Sequence, residues 1–294
     1  MARQSSDWRF ATWAKVAWAL PRKMMEDEAP GRAAQMSFYF FLSIFPTLLL
    51  LMAVLGMFLD AQWLLRETVL DRLAAVAPAP TVRVFVRLLD HLAGRAPVPM
   101  TWGAILAVWA SSSGMVAAIR GLNKVYAVTE QRPWWRRRLV GLALTLVLLM
   151  LTAAAMLLLA YGVPIAHAIA RGLGLRPAMV LLWEIVQWPL ILGFVLAAFN
   201  LLYHFGPHRP QVRWRWFRPG SLIAVALWLL ASLSLKLYAD RFGEYNVAYG
   251  SLGAVIVLLL WFYLACLAIL AGAEINAIMD EAQAGAGVPA TAGR

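Results

Sequence analysis

Ionisable side chains are scarce in the apolar stretches of this sequence, and the few that interrupt them are the first candidates for chemistry. Glu184, Lys236 and Glu274 stand inside long apolar segments, and Arg32 and Arg120 stand at the ends of two others. A charge within hydrocarbon is costly and is kept where it is paired or where it handles an ion, a proton or a head group. If successive segments run in opposite directions, Glu184 and Lys236 reach one depth near the outer face. Glu274 then lies near the inner face with Arg120 and Arg32. Two layers are expected: an outer pair of Glu184 with Lys236, and an inner pair of Glu274 with Arg120 or Arg32. Structural ion pairs and gates are both open to them.

Three irregularities of backbone could form a path between those layers. Pro46 and Pro189 each remove a helical hydrogen bond in mid-segment, and they occupy the first segment of each half if the chain divides three and three. Matching interruptions in two inverted halves mark the site in many transporters, although two independent packing kinks would give the same pattern. Ser111, Ser112 and Ser113 could line a polar path, or could belong to the small-residue stripe Ala110, Gly114, Ala118 that lets another helix approach closely. Tyr249-Gly250-Ser251-Leu252-Gly253 opens a helix, and free N–H groups there favour an anion. The candidate pathway therefore comprises Pro46, Ser111, Ser112, Ser113, Glu184, Pro189, Lys236, Tyr249, Gly250, Ser251 and Gly253.

Enzyme chemistry finds no residues to carry it. A metal-dependent nuclease needs clustered His and carboxylates, and the four histidines, His91, His167, His204 and His208, are dispersed, with Pro207 and Pro210 breaking the one close pair. There is no Walker loop, no serine nucleophile elbow and no cysteine cluster. The lone Cys266 reads as a small core residue. No catalytic residue, metal or cofactor is expected.

The elements that must position these residues are transmembrane helices. The chain is 62% hydrophobic and 14% charged, against roughly 45–50% apolar in soluble domains. Six segments reach the roughly 20 residues that cross a bilayer: about 36–59, 101–120, 139–163, 178–203, 219–239 and 250–278. The expectation is an all-α polytopic membrane protein, with residues 36–279 as one six-helix domain. Sixteen Lys/Arg fall on the loops facing one side and eight on the other. That bias places both termini in the cytoplasm and offers a basic face to anionic lipid head groups. Membrane lipids are thus the expected partners, self-association into a homo-oligomer is compatible with the pattern, and nucleic acid is not implied.

Amphipathic helices flank the spans. In residues 1–35, Phe10, Trp13, Ala17, Leu20 and Met24 recur at helical spacing beside Arg9, Lys15, Arg22 and Lys23, which reads as an interfacial helix broken or kinked near Pro21. In the first outer loop, Val82, Phe85, Leu89 and Leu92 form a similar stripe, preceded by a helix over about 61–76. Residues 280–294 read as a disordered tail.

The sequence Ala33-Ala34-Gln35-Met36-Ser37-Phe38-Tyr39, followed by Ser43-Ile44-Phe45-Pro46, resembles the first-span signature of the YihY/BrkB family. So do Ser113-Gly114 through Leu122-Asn123-Lys124-Val125-Tyr126, and Pro219-Gly220-Ser221 at the start of span five. The fullest match is Tyr249-Gly250-Ser251-Leu252-Gly253 with Trp261, Tyr263 and Gly272-Ala273-Glu274-Ile275-Asn276-Ala277. The resemblance covers residues 20 to 280. It implies a six-span bacterial inner-membrane protein, in a family with members linked to virulence and to envelope lipids; the old family label ribonuclease BN is a misassignment. Two functions are compatible with these observations: a transporter or translocase of lipid or another envelope-related solute, and a membrane scaffold for envelope assembly that transports nothing.

Overall fold

A computed structural model describes residues 2–56, 102–172, 177–209, 218–241 and 251–285. These form seven helices: α1 Ala2–Glu26, α2 Ala29–Gly56, α3 Trp102–Val125, α4 Trp134–Gly172, α5 Pro177–Phe205, α6 Pro219–Arg241 and α7 Ser251–Gly285. There is no strand among the described residues. Four stretches are long and apolar enough to cross a membrane: Trp134–Gly172, Met179–Phe205, Pro219–Ala239 and Val255–Ala282. The other two expected spans fall on α2 and α3, beside residues 57–101, which lie outside the described residues together with the expected outer-loop helices.

Hydrocarbon explains why these segments are helices. A backbone in lipid must satisfy its own N–H and C=O groups, which a helix does within one segment. Leu181, Leu182 and Ile185 of α5, and Leu230, Leu233 and Leu237 of α6, are large apolar residues left exposed on the outside. Such a surface suits a lipid surround and would be a liability in water. Pro177 and Pro219 each occupy the first helical position, where the missing N–H costs nothing.

The helices α2 to α7 form a closed circuit of neighbours, each packed on the next and α7 returning to α2; α1 lies along α7. The densest packing is at one end of the bundle. There Ala33 and Met36 of α2, Ile119 and Leu122 of α3, Leu202 and Tyr203 of α5 and Ala224 of α6 close around Leu270, Ala273 and Ala277 of α7. Residues 270–279 of α7 are buried without interruption. The crossing of α6 over α7 brings backbone against backbone. A methyl group on Gly220 would overlap the Gly272 carbonyl, and one on Gly272 would lie within 2.6 Å of Ala224 Cβ and the Tyr203 hydroxyl.

Several expectations shift. The N-terminal helix runs through Pro21 without a break, and its packed face is Val16 with Ala19 and Leu20 against Ile275, Ile278 and Met279. Trp13 and Ala17, placed on the apolar stripe by spacing, are exposed, and Trp18 is 82% exposed. The face that seats on α7 is thus turned by one residue from the expected stripe, leaving tryptophans on the outside, where Trp suits a membrane interface. Residues 164–172, expected as loop, continue α4 through Pro164. Residues 280–285, expected as tail, continue α7, because Asp280 and Glu281 are held by ion pairs.

The glycine crossing generates the first prediction. Gly272→Ala forces apart two backbones and should cost about 1–3 kcal/mol as an overpacking change, read as a lower unfolding temperature and yield in detergent. Gly193→Ala is the control, since nothing lies within 4 Å of a methyl group there; it should fold as well as the parent.

Candidate functional site

Polar side chains gather at the densely packed end of the bundle, where α1, α3, α5 and α7 finish and α2, α4 and α6 begin. Three tied groups make up the cluster. The first staples the α3–α4 connection. The Arg132 guanidinium donates to both Glu130 carboxylate oxygens, at 2.7 and 2.8 Å, and reaches the Gly206 carbonyl at 2.9 Å. The Asn123 amide donates to Glu130 at 2.8 Å and its carbonyl accepts the His208 N–H at 2.9 Å. Burial opposes ionisation of Glu130, but the hydrogen bonds from Arg132 and Asn123 outweigh it and hold the carboxyl at about 2, below its ordinary 4.5.

The second group joins α5, α6 and α7. Asp280 accepts from Arg209 at 2.9 Å and from Arg218 at 3.3 Å. The Arg209 guanidinium also lies 4.4 Å from the Tyr126 ring centre, a cation–π contact. Behind it, Asn276 accepts the Gly220 N–H at 3.0 Å and Asn200 accepts the Ser221 hydroxyl at 2.6 Å. The Tyr126 hydroxyl and the Asn276 side chain are buried beside each other, without a hydrogen bond of good geometry between them. Burial pushes the Tyr126 phenol up to about 12, against the opposing pull of Arg218.

The third group surrounds Glu274. Its residue exposure is 0%, and neither carboxylate oxygen has a hydrogen-bond partner among the described residues. Asp27, Lys23 and Glu281 are the charges that act on it. Lys23 itself pairs with Glu281 at 2.5 Å, and Lys124 with Asp27 at 3.5 Å.

The expected inner pair is therefore corrected. Arg32 donates instead to the Asp27 carbonyl at 3.0 Å and to Glu28 at 3.5 Å. Arg120 is exposed, while Ile119 and Leu122 of the same helix face the core. Depth placed Arg120 correctly, but one residue of helix turns it about 100° away from α7. Of the expected outer layer, Glu184 and Lys236 are both half-buried toward the same end of the adjacent helices α5 and α6.

The candidate pathway is not assembled. Pro46 is half-buried in α2, which continues through it. Ser111 and Ser112 are buried in α3; Ser112 donates to the Trp109 carbonyl at 2.8 Å. Ser113 accepts from Arg138 at 3.2 Å, and Arg138 also donates to the Trp109 carbonyl and stacks 4.1 Å from its ring centre. Pro189 is exposed on α5, which packs on α4 and α6 rather than on α2. Tyr249 and Gly250 lie outside the described residues; Ser251 begins α7 and Gly253 is half-buried in its first turn. Among the described residues no three His, Cys, Asp or Glu side chains come together to hold a metal.

Sequence reasoning missed Glu130, Arg132, Arg209, Arg218, Asp280 and Asn200. Asn200 interrupts an apolar run and was visible as a polar group at depth. The others sit in or beside basic connections and looked like part of a diffuse positive surface.

Two predictions follow from the ties. Asp280→Ala leaves two largely buried guanidinium groups without their carboxylate, a loss of about 3–5 kcal/mol for a broken buried pair, and should lower the unfolding temperature far more than Glu281→Ala, whose surface pair contributes about 0–1 kcal/mol. Glu130 titrates lower in the folded state than in the unfolded one. Its stabilisation is therefore complete above about pH 4.5 and is lost as pH falls toward 2. Glu130→Gln should flatten acid unfolding across that window; an unchanged profile would show that the staple does not hold the fold.

The chain matches the family model described as Virulence factor BrkB over residues 20–292. It is 32% identical over 256 residues to a Bacillus subtilis protein named as ribonuclease-like, YfkH, covering 86% of this chain and 91% of that one. It is 28% identical to a UPF0761 membrane protein of Verminephrobacter eiseniae, over 93% of this chain and 64% of the relative, so the chain spans a little under two thirds of that protein. A UPF0761 membrane protein of Vibrio atlanticus is 26% identical over 88% of this chain and 80% of its own length. No solved structure matches. With the motifs of α2, α3, α6 and α7 in place and the match running almost end to end, the chain is a membrane protein of the BrkB family.

Proposed function

We propose that this chain is a six-span bacterial inner-membrane protein, both termini cytoplasmic, that moves a lipid or another envelope-related solute between the two sides of the bilayer. The observation that carries the reading is Glu274: a carboxyl group wholly inside the protein, facing the Asp27 carboxyl and joined to no cation by an ion pair among the described residues, in the continuously buried part of a membrane-length helix. A buried ionisable group that no ion pair explains is by default functional in a membrane. Its role here is to take up and release a proton or cation as the bundle changes shape, with Lys23 and Asp27 as the nearby charges that respond. The contact of α1 with the end of α7 supports the placement of both termini on one side, and the Lys/Arg bias supports the cytoplasm as that side. Lys124 and Arg136, exposed at the end of α3 and at the start of α4, meet anionic head groups there. The chain acts without catalytic residues, cofactor or metal.

The scaffold reading keeps one specific support: Ser111 and Ser112 are buried within the core, and Ser112 bonds back to the Trp109 carbonyl of its own helix, so this part of α3 serves packing.

The test is a reconstituted flux assay. The purified chain in vesicles should accelerate loss of a head-group-labelled lipid to an external quencher. Glu274→Gln should unfold at the same or a higher temperature, because no pair is broken, yet return the flux to that of protein-free vesicles. Folded parent protein that leaves flux at the protein-free rate sinks the transport reading.

A further inference from the structure

A groove of about 830 Å³ lies between α4 and α5, at the end of the helix pair away from the polar cluster. Its size falls within the roughly 300–1,000 Å³ of small-molecule sites. The lining is apolar and aromatic, with Leu158, Gly162 and Ile165 on one side and Met179, Trp183 and Phe194 on the other. Ile165 and Met179 are each more than half exposed, so the groove opens on the outward surface of two membrane-length helices.

One feature is out of place in so apolar a setting. Trp183 Nε1 and Gln187 Oε1 are buried and have no hydrogen-bond partner among the described residues, and Gln187 is only 2% exposed. Four residues apart on α5, they share a helix face. They converge on Gly162 in the groove wall, where a methyl group would stand 2.9 Å from the Gln187 oxygen and 3.3 Å from the Trp183 nitrogen. An unmade hydrogen bond at a buried donor or acceptor costs about 1–3 kcal/mol, and hydrocarbon offers no water to relieve it. The pair consists of one donor and one acceptor, so a group that both accepts and donates satisfies it completely. A hydroxyl or a secondary amide does this; an ester, which only accepts, leaves Gln187 unmet.

We propose that the α4–α5 groove binds the chain of a membrane amphiphile that carries a hydroxyl or amide group, with Trp183 and Gln187 reading that group once the indole turns toward the groove. Binding here does not depend on transport, so it stands or falls separately from the function proposed above.

The experiment uses the full chain in detergent and a monoacylglycerol with a photoreactive acyl chain. Label is expected on peptides covering residues 154–170 and 179–194. Monoolein, which keeps its hydroxyls, should displace the probe about tenfold better than methyl oleate, the ratio expected from one satisfied buried polar group. Gln187→Leu removes the acceptor that an ester cannot meet and keeps a side chain of similar size; it should make the two competitors equivalent. Ile165→Trp fills the groove from an exposed position and should cut labelling about tenfold with an unchanged unfolding temperature, as for a site blocked by one large side chain. Should either variant fail to fold, the competition on the parent chain still decides. Equal displacement by monoolein and methyl oleate, label outside the two peptides, or cross-links only between two copies of the chain would each overturn the proposal.

Discussion

The rest of the bundle depends on two peptide backbones meeting without side chains between them. At Gly220 and Gly272, α6 and α7 come so close that neither position has room for a methyl group. Association in lipid gains little from the hydrophobic effect, since a leucine is as well solvated by acyl chains as by another helix. Dispersion and hydrogen bonding must supply the difference, and both reward short distances. The crossing brings Asn276 to the Gly220 N–H and places Tyr203 so that its hydroxyl reaches the Ile269 carbonyl at 2.8 Å. Each of those contacts recruits another helix to α7, and the uninterrupted burial of residues 270–279 follows.

That arrangement divides the molecule into two unlike ends. At one, helices are laced by ion pairs and side-chain amides, and almost every connection between them is anchored. At the other, α4 and α5 part around an apolar groove, and behind its wall two buried polar atoms, Trp183 Nε1 and Gln187 Oε1, are unmet. Glu274 sits within the laced end, facing Asp27, but none of the ion pairs there includes it. A carboxyl group so placed contributes little to holding the helices together, which is why its presence calls for a use.

The sequence made depth legible and direction illegible. Helical class and four of the segments of membrane length could be read from composition and run length, and the Gly272–Ala277 stretch from motif. Which side of each helix faces inward could not. In a soluble protein the apolar stripe marks the core, but here lipid and core are equally apolar and the stripe carries no such information. Arg120 was put at the right level of α3 and on the wrong side; Val16 rather than Trp13 or Ala17 turned out to seat α1. The same blindness made Pro46, Ser112 and Pro189 look like parts of one path, since each is irregular at similar depth, although α2 and α5 are separated by their neighbours. The Asp280 and Glu130 ties were hidden for another reason: their partners are contributed by connections, whose positions are set only after the helices have packed.

The central place of α7 has a consequence for biogenesis. It is the last of the described helices to leave the ribosome, and although α2, α3, α4 and α5 already pack on one another in sequence, the polar end of the bundle closes only when its second half arrives. During synthesis α6 must therefore wait in the bilayer with Gly220 uncovered, and Arg209 and Arg218 must wait without their carboxylate. Assembly of this protein is a closing event rather than a gradual accretion. A nascent chain stopped short of Asp280 would present the membrane's quality-control proteases with loose helices and unpaired cations instead of a smaller version of the native bundle.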